Sequence, residues 1–288
     1  MGAWGFSCVV FIVMLMATPK LYAQVLSVDS SLIASSAPSI VRVPKMVVHD
    51  IYHEDFYFYR LLQLALTKSS AEFGSYELEQ FPFIIADKRQ VSELLQGSID
   101  VIWRTTNSDY EAEFMPIKIS LLKNLTDYRL LLIRKGEQAK FSAVKNLADL
   151  GQLRGGIHTQ WPDYALMKAN GLTLVGATVY PKLFKMLAAG RFDYFSRGIY
   201  QIQPEATLHA EQHLVIEQEL MLYYPNSIYF FVRKGQDALA RRIEQGLMLA
   251  LADGSFDELL NSIPHYRWAT DALHEHTRRV ITLAQPAH

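Results

Sequence analysis

Two segments of the chain, RLLLIRKG at 129–136 and IYFFVRKG at 228–235, carry nearly the same pattern: an unbroken apolar run closed by Arg-Lys-Gly. Continuous apolar runs of this length belong to strands buried on both faces. They bracket residues 137–227, a block with its own succession of strand-like and helix-like stretches. Alternating strands and helices build sheets with helices on both faces. Like strands at both boundaries of an inner block are what a chain shows when it leaves one lobe and later returns to it. The pattern therefore predicts an α/β protein of two lobes joined by two crossing strands.

Local periodicity fills in the elements. Strands are expected over 43–50, 99–103, 128–134, 155–158, 172–178, 192–195, 214–217 and 228–233. Phe58, Leu61, Leu62, Ala65 and Leu66 recur at helical spacing and make one apolar face. A second helix over 87–96 ends at Gly97, where a left-handed C-terminal residue suits glycine. Further helices are expected over 146–153, 162–170, 180–188, 203–210 and, the longest, 237–253.

The N-terminus has a different character. Residues 8–17 (CVVFIVMLMA) are wholly apolar, and extended back to Trp4 the run would span only about 21 Å as a helix, short of a ~30 Å bilayer core. Small residues follow, and Leu21-Tyr22-Ala23 suits cleavage after Ala23, so residues 1–23 read as a secretory signal peptide and 24–42 as a Ser- and Ala-rich leader. An uncleaved N-terminal anchor is the alternative, since no Lys or Arg precedes the apolar run. Cys8 is the chain's single cysteine, so an internal disulfide framework is excluded. With 28 Lys+Arg against 29 Asp+Glu, a net charge of −1 offers no broad attraction for nucleic acid. Half of the residues are hydrophobic, enough for a sizeable core and against disorder.

Together with the bracketing strands, the segments LLQGSIDVIWRTTN (94–107), LFKMLAAGRFDYFSRG (183–198) and LADGSFD (251–257) resemble family 3 of the bacterial periplasmic solute-binding proteins, of the amino-acid ABC-transporter type. The resemblance spans roughly 43–262. It implies a type II two-lobed fold, each lobe a mostly parallel sheet flanked by helices, with 43–130 and 229–288 as lobe 1 and 131–228 as lobe 2. It further implies a small ligand held between the lobes, no cofactor and a membrane permease as partner. The chain would act as a monomer in the periplasm.

Carried onto this sequence, the resemblance places Tyr52 after the first strand, Trp103, Arg104, Thr105, Thr106 and Tyr110 at the lobe-1 binding turn, and His158, Thr159 and Trp161 at the lobe-2 loop. Tyr110 stands where amino-acid-binding members carry an arginine that forks onto the ligand carboxylate. After Asp193 the run Tyr194-Phe195-Ser196-Arg197-Gly198 lacks the carboxylate those members use for the ammonium. Arg104 and Arg197 are then the candidates for an anionic ligand, with ordinary salt bridges as the alternative for each. Trp161 is read either as an apolar wall or as packing at a helix start, His158 as a contact or a plain loop histidine, and Trp103 equally as core.

Two histidine groupings, His49/His53 beside Glu54 and Asp55, and His209/His213 at i, i+4, lack the third ligand of a zinc motif. No G-x-S-x-G elbow, Walker loop or G-x-G-x-x-G is present. No catalytic or metal-binding residue is therefore nominated, and the expectation is a binding protein. A ligand-degenerate module for a membrane signalling protein, or an enzyme on the same fold, are the alternatives.

Overall fold

The computed structural model describes Met1 and residues 37–46, 53–275 and 277–285. The expected signal peptide, most of the expected leader, and Tyr52 and His49 lie outside them.

Both bracketing strands form, and each is the spine of its own sheet. Strand β5 (Tyr128–Arg134) runs antiparallel to every neighbour it pairs with: β8 (Tyr194–Gly198), β9 (Leu214–Ile216) and β10 (Leu220–Tyr223). Strand β11 (Ile228–Arg233) likewise lies antiparallel between β3 (Val101–Thr105) and β4 (Phe114–Ile117). The resemblance implies mostly parallel sheets; the observed ladders are mixed. A strand entering from the other half meets its new neighbours from the opposite end, so it pairs against their direction. Parallel pairing survives where a helix makes the crossover, as between β6 (Arg154–His158) and both β7 (Thr173–Ala177) and β8. In the larger sheet the order is β12 (Arg279–Thr282), β10, β5, β8, β6, β7, with β9 sharing an edge of β5.

Two assignments shift. The first strand, β1 (Ser39–Val43), starts inside the expected leader and pairs in parallel with β2 (Tyr76–Gln80). It does so because Val41 and Val43 alternate inward while Ile40 and Arg42 face out. At the other end, β12 (Arg279–Thr282) pairs with β10 in the larger sheet, whereas the sequence reading placed all of 229–288 with the first lobe. Apolar Ile281 and Leu283 are buried there, and Asn170 fastens the tail by exchanging two 2.8 Å hydrogen bonds with the Ala284 backbone.

The helices form where the apolar spacing places them. Helix α1 (Glu54–Lys68) buries Leu61, Leu62, Ala65 and Leu66, each contributing on the order of 1.5–3 kcal/mol where a large side chain is removed from water. It packs on α10 (Asp237–Ala252) so closely that a Cβ on Gly246 would stand 1.9 Å from the Ala65 carbonyl oxygen. Helix α9 (Ile199–Leu208) starts directly after β8 and packs on α12 (Pro264–His274), and Tyr266 of α12 meets both Tyr57 and Tyr200 edge-on. One apolar cluster thereby runs from Val41 and α1 through Tyr266 to Phe184 and Phe195 under the larger sheet. The Asp of the GRFD segment is structural. Asp193 accepts from the Arg154 amide at 2.8 Å and from Lys140 at 3.1 Å, tying the start of β8 to β6.

Replacing Gly246 by Ala should destabilise the fold by about 1–3 kcal/mol or more, because a backbone carbonyl and not a flexible side chain would have to yield; urea unfolding reads this. His265 is buried beside Tyr266, and burial pushes its pKa down to about 4. The unfolded chain binds that proton more readily, so stability is complete above pH ~6.5 and falls as the pH drops toward 4, by up to about 3 kcal/mol. Replacing His265 by Gln should flatten the stability–pH curve in that window.

Candidate functional site

The chain crosses between its two halves at 123–127 and again at 224–227, and Asp127 ties the crossings together. Its carboxylate accepts the Asn226 amide at 2.8 Å and its carbonyl accepts the Tyr224 amide at 3.0 Å. Burial raises the Asp127 pKa, with the Asn226 amide and nearby Arg129 opposing that shift. On either side of this knot, strand ends deliver a polar and aromatic cluster.

On the side of the smaller sheets, β3 ends in Thr105 and Thr106 follows it. The Thr106 amide donates to the Ser227 carbonyl at 2.8 Å, next to the second crossing, and its hydroxyl donates to Glu111 at 2.7 Å. Asn107 caps α4 (Ser108–Glu113) by accepting the Tyr110 amide, which turns Tyr110 back over the strand. Arg104 then reaches the Tyr110 hydroxyl at 3.1 Å and Asp87, at the start of α3 (Asp87–Gln96), at 3.5 Å. Trp103 donates its indole N–H to Asp55 at 2.7 Å while its ring meets Phe230 edge-on, so it is both core and a polar contact. Its partner Asp55 was not singled out for this role.

On the side of the larger sheet, the carboxyl ends of β6, β7 and β8 converge. His158 is held flat: Nδ1 lies 3.3 Å from the Gln160 amide and accepts from it, leaving Nε2 to donate to the Thr178 carbonyl at 2.9 Å. Its ring stacks on Trp161, which stacks in turn on Phe195. Thr159 takes the Ala177 carbonyl through its amide at 3.0 Å, and its methyl fills the space where a Cβ on Gly176 would sit. Trp161 precedes α7 (Pro162–Ala169), where it packs at the helix start between His158 and Phe195.

Arg197 is brought to the same place and lies over the faces of Trp161 (4.7 Å), Phe195 (5.2 Å) and Tyr180 (5.3 Å). It is no open anion site. Its Nε and Nη2 donate to the two carboxylate oxygens of Glu205 at 2.7 and 2.5 Å. Burial works against the charge, but the Glu205 carboxylate outweighs it and raises the Arg197 pKa. Arg129 stands on the opposite face of the same sheet end, buried over the Tyr224 ring at 4.8 Å, with Asp163 at 3.4 Å. Tyr224 completes that group by donating to Asp163 at 2.8 Å.

Of the residues singled out from the sequence, Arg104, His158 and Arg197 do sit at strand ends and Trp161 lies three residues beyond β6, but sequence reasoning missed the partners Asp87, Glu205 and Tyr180 and the separate Arg129–Asp163 pair. Two of those had a faint signal: Asp163 follows Pro162 in the first helical turn, where acidic residues are favoured, and Asp87 opens α3 in the same manner. Of the histidine groupings, His53 caps α1 through its Nδ1, and His209 stacks 3.8 Å from the Phe184 ring, where burial lowers its pKa. Among the described residues no group of three or more His, Cys, Asp or Glu is placed to hold a metal ion, and no helix is long and apolar enough to cross a membrane.

No protein-family model matches the chain, and no curated protein matches it. Solved structures do. An ancestral arginine-binding protein bound to glutamine superposes with a TM-score of 0.56 at 17% identity, covering 80% of this chain and 100% of that one. The probable amino-acid ABC transporter extracellular-binding protein ytmK from Bacillus subtilis gives 0.61 at 12% identity, covering 80% and 99%. The ancestral amino acid-binding protein AncCDT-1, a precursor of cyclohexadienyl dehydratase, gives 0.54 at 15% identity, covering 78% and 95%. At such identities the likeness is one of fold: the chain has the two-lobed architecture of periplasmic binding proteins.

Removing either member of the Arg129–Asp163 pair leaves a buried charge without its partner. Arg129→Ala and Asp163→Ala should each cost about 3–5 kcal/mol in urea unfolding, and the double variant should cost less than the sum of the two.

Proposed function

We propose that the chain is a solute-binding receptor that captures a small polar molecule between its lobes without chemical change. The observation that supports this most directly is the convergence of strand carboxyl ends on both sides of the Asp127 knot, in a fold shared with solved amino-acid-binding proteins. In open α/β sheets, ligands bind outside such strand ends. Lobe 1 would comprise 43–130 and 229–288 with the β1 segment before it, and lobe 2 131–228 with the β12 tail added to its sheet. Thr105, Thr106 and Tyr110 would face His158, Thr159 and Trp161 across the cleft, with Tyr52 at its lobe-1 edge. Closure would bury the ligand and signal its presence to a membrane partner. Residues 1–23 would export a monomer to the periplasm, and a permease of the ABC type would receive the ligand.

A second reading, a sensor module for a membrane signalling protein, draws support from one feature. Both arginines nominated for an anion already carry carboxylate partners within the chain. An enzyme on this fold is the third reading, and the site offers it no nominated nucleophile or general base.

Thermal unfolding of the exported chain against amino acids, amides, sugars, polyamines and organic acids separates these readings. A receptor should show one solute class that stabilises saturably, by about 2.7 kcal/mol at a hundredfold excess over Kd. No shift with any class would overturn the transport reading, and turnover of a bound solute would replace it with the enzymatic one.

A further inference from the structure

A carboxylate-binding fork exists in this protein, and it is filled from inside. Arg197 presents its guanidinium edge to Glu205 with two parallel hydrogen bonds, 2.7 and 2.5 Å, the planar pairing by which proteins recognise a free carboxylate. Tyr180 donates a third hydrogen bond to the same carboxylate at 2.7 Å. Trp161, Phe195 and Tyr180 cover the guanidinium. A positive fork, a hydroxyl donor and aromatic walls are the furnishings of a small-ligand site for an organic acid, yet the acid here belongs to α9. Helix α9 begins immediately after β8, so seven residues from Gly198 to Glu205 make two turns and return the side chain toward Arg197.

We propose that Glu205 is a specificity-determining residue: it occupies the carboxylate fork of Arg197 permanently, so that the site takes solutes that lack a carboxylate group. The proposal rests on the receptor reading above and narrows its ligand to neutral or cationic molecules. An incoming carboxylate would compete with one tethered at a high effective concentration. It would also strand the displaced Glu205 in a place where only 13% of its side chain is exposed. The two other arginines beside the crossing follow the same plan: Arg104 with Asp87 and Tyr110, and Arg129 with Asp163 and Tyr224. The Arg104 contact is the loosest of the three, since Asp87 is largely exposed and stands 3.5 Å away, so the two-oxygen pairing on Arg197 is the one that closes a fork.

The test uses the full exported chain, Glu205→Ala, and the double variant Glu205→Ala with Arg197→Met. The probes are sodium propionate, neutral propionamide, and sodium chloride at matched ionic strength. Glu205→Ala should melt several degrees below wild type. Propionate should restore part of that loss saturably, propionamide and chloride should not, and the double variant should ignore all three. Wild type should respond to propionate no more than to chloride. A folded Glu205→Ala that propionate does not rescue would overturn the proposal. If Glu205→Ala does not fold, wild-type calorimetry decides: no saturable heat with phenylacetate or glutamine is expected, and saturable binding of either would overturn the proposal while leaving the receptor reading intact. Conversely, propionate rescue in the variant together with no solute of any class binding wild type would sink the receptor reading and leave the assignment of Glu205 standing.

Discussion

A guanidinium taken out of water must take a counter-charge with it, and the arrangement of this protein around its crossing segments follows from that requirement. Arg129 is the second residue of β5, at the point where the chain enters the larger sheet, with only 5% of its side chain exposed. Such a charge is tolerable only if a carboxylate and further hydrogen-bond acceptors are brought to it. Asp163 comes from the first turn of α7, Tyr224 from the residue after β10, and the Thr126 and Tyr128 carbonyls from the end of the crossing and the start of β5. One buried side chain thus registers three separate pieces of backbone at the place where the two halves meet.

The same requirement is met at Arg197, where the counter-charge comes from Glu205 on the helix that follows its own strand. With the guanidinium held by that carboxylate, the rings of Trp161, Phe195 and Tyr180 pack on a group of fixed position, and His158 extends the stack through Trp161.

Much of the fold was legible because burial writes itself into spacing. The helical recurrence from Phe58 to Leu66 and the left-handed glycine at 97 mark α1 and the end of α3 where they occur. The paired Arg-Lys-Gly strands announced the crossing. Strand direction was not legible, since β5 reads the same whichever way its neighbours run, and β12 was missed because four residues with one buried side chain carry almost no periodicity. At the site, the residue types at strand ends were visible but their partners were not. Glu205 meets Arg197 because α9 follows β8 without a linker, a fact of backbone path that no local pattern encodes. Asp127 offers no signal at all: it is one acidic residue between Thr126 and Tyr128, and its role exists only once residue 226 lies beside it.

The tail has a practical consequence for anyone who would turn such a chain into a tool. Helix α12 packs among the helices that meet α1 and α9, yet the strand after it is sewn onto β10 and clipped by Asn170. The segment from Arg279 to Ala284 is therefore anchored to the larger sheet. A fluorescent reporter fused there would ride with the larger sheet, and one inserted at the exposed turn around residue 253 would ride with α10. A pair of labels at those two positions would therefore read the separation between the larger sheet and α10, although both lie in the last third of the sequence.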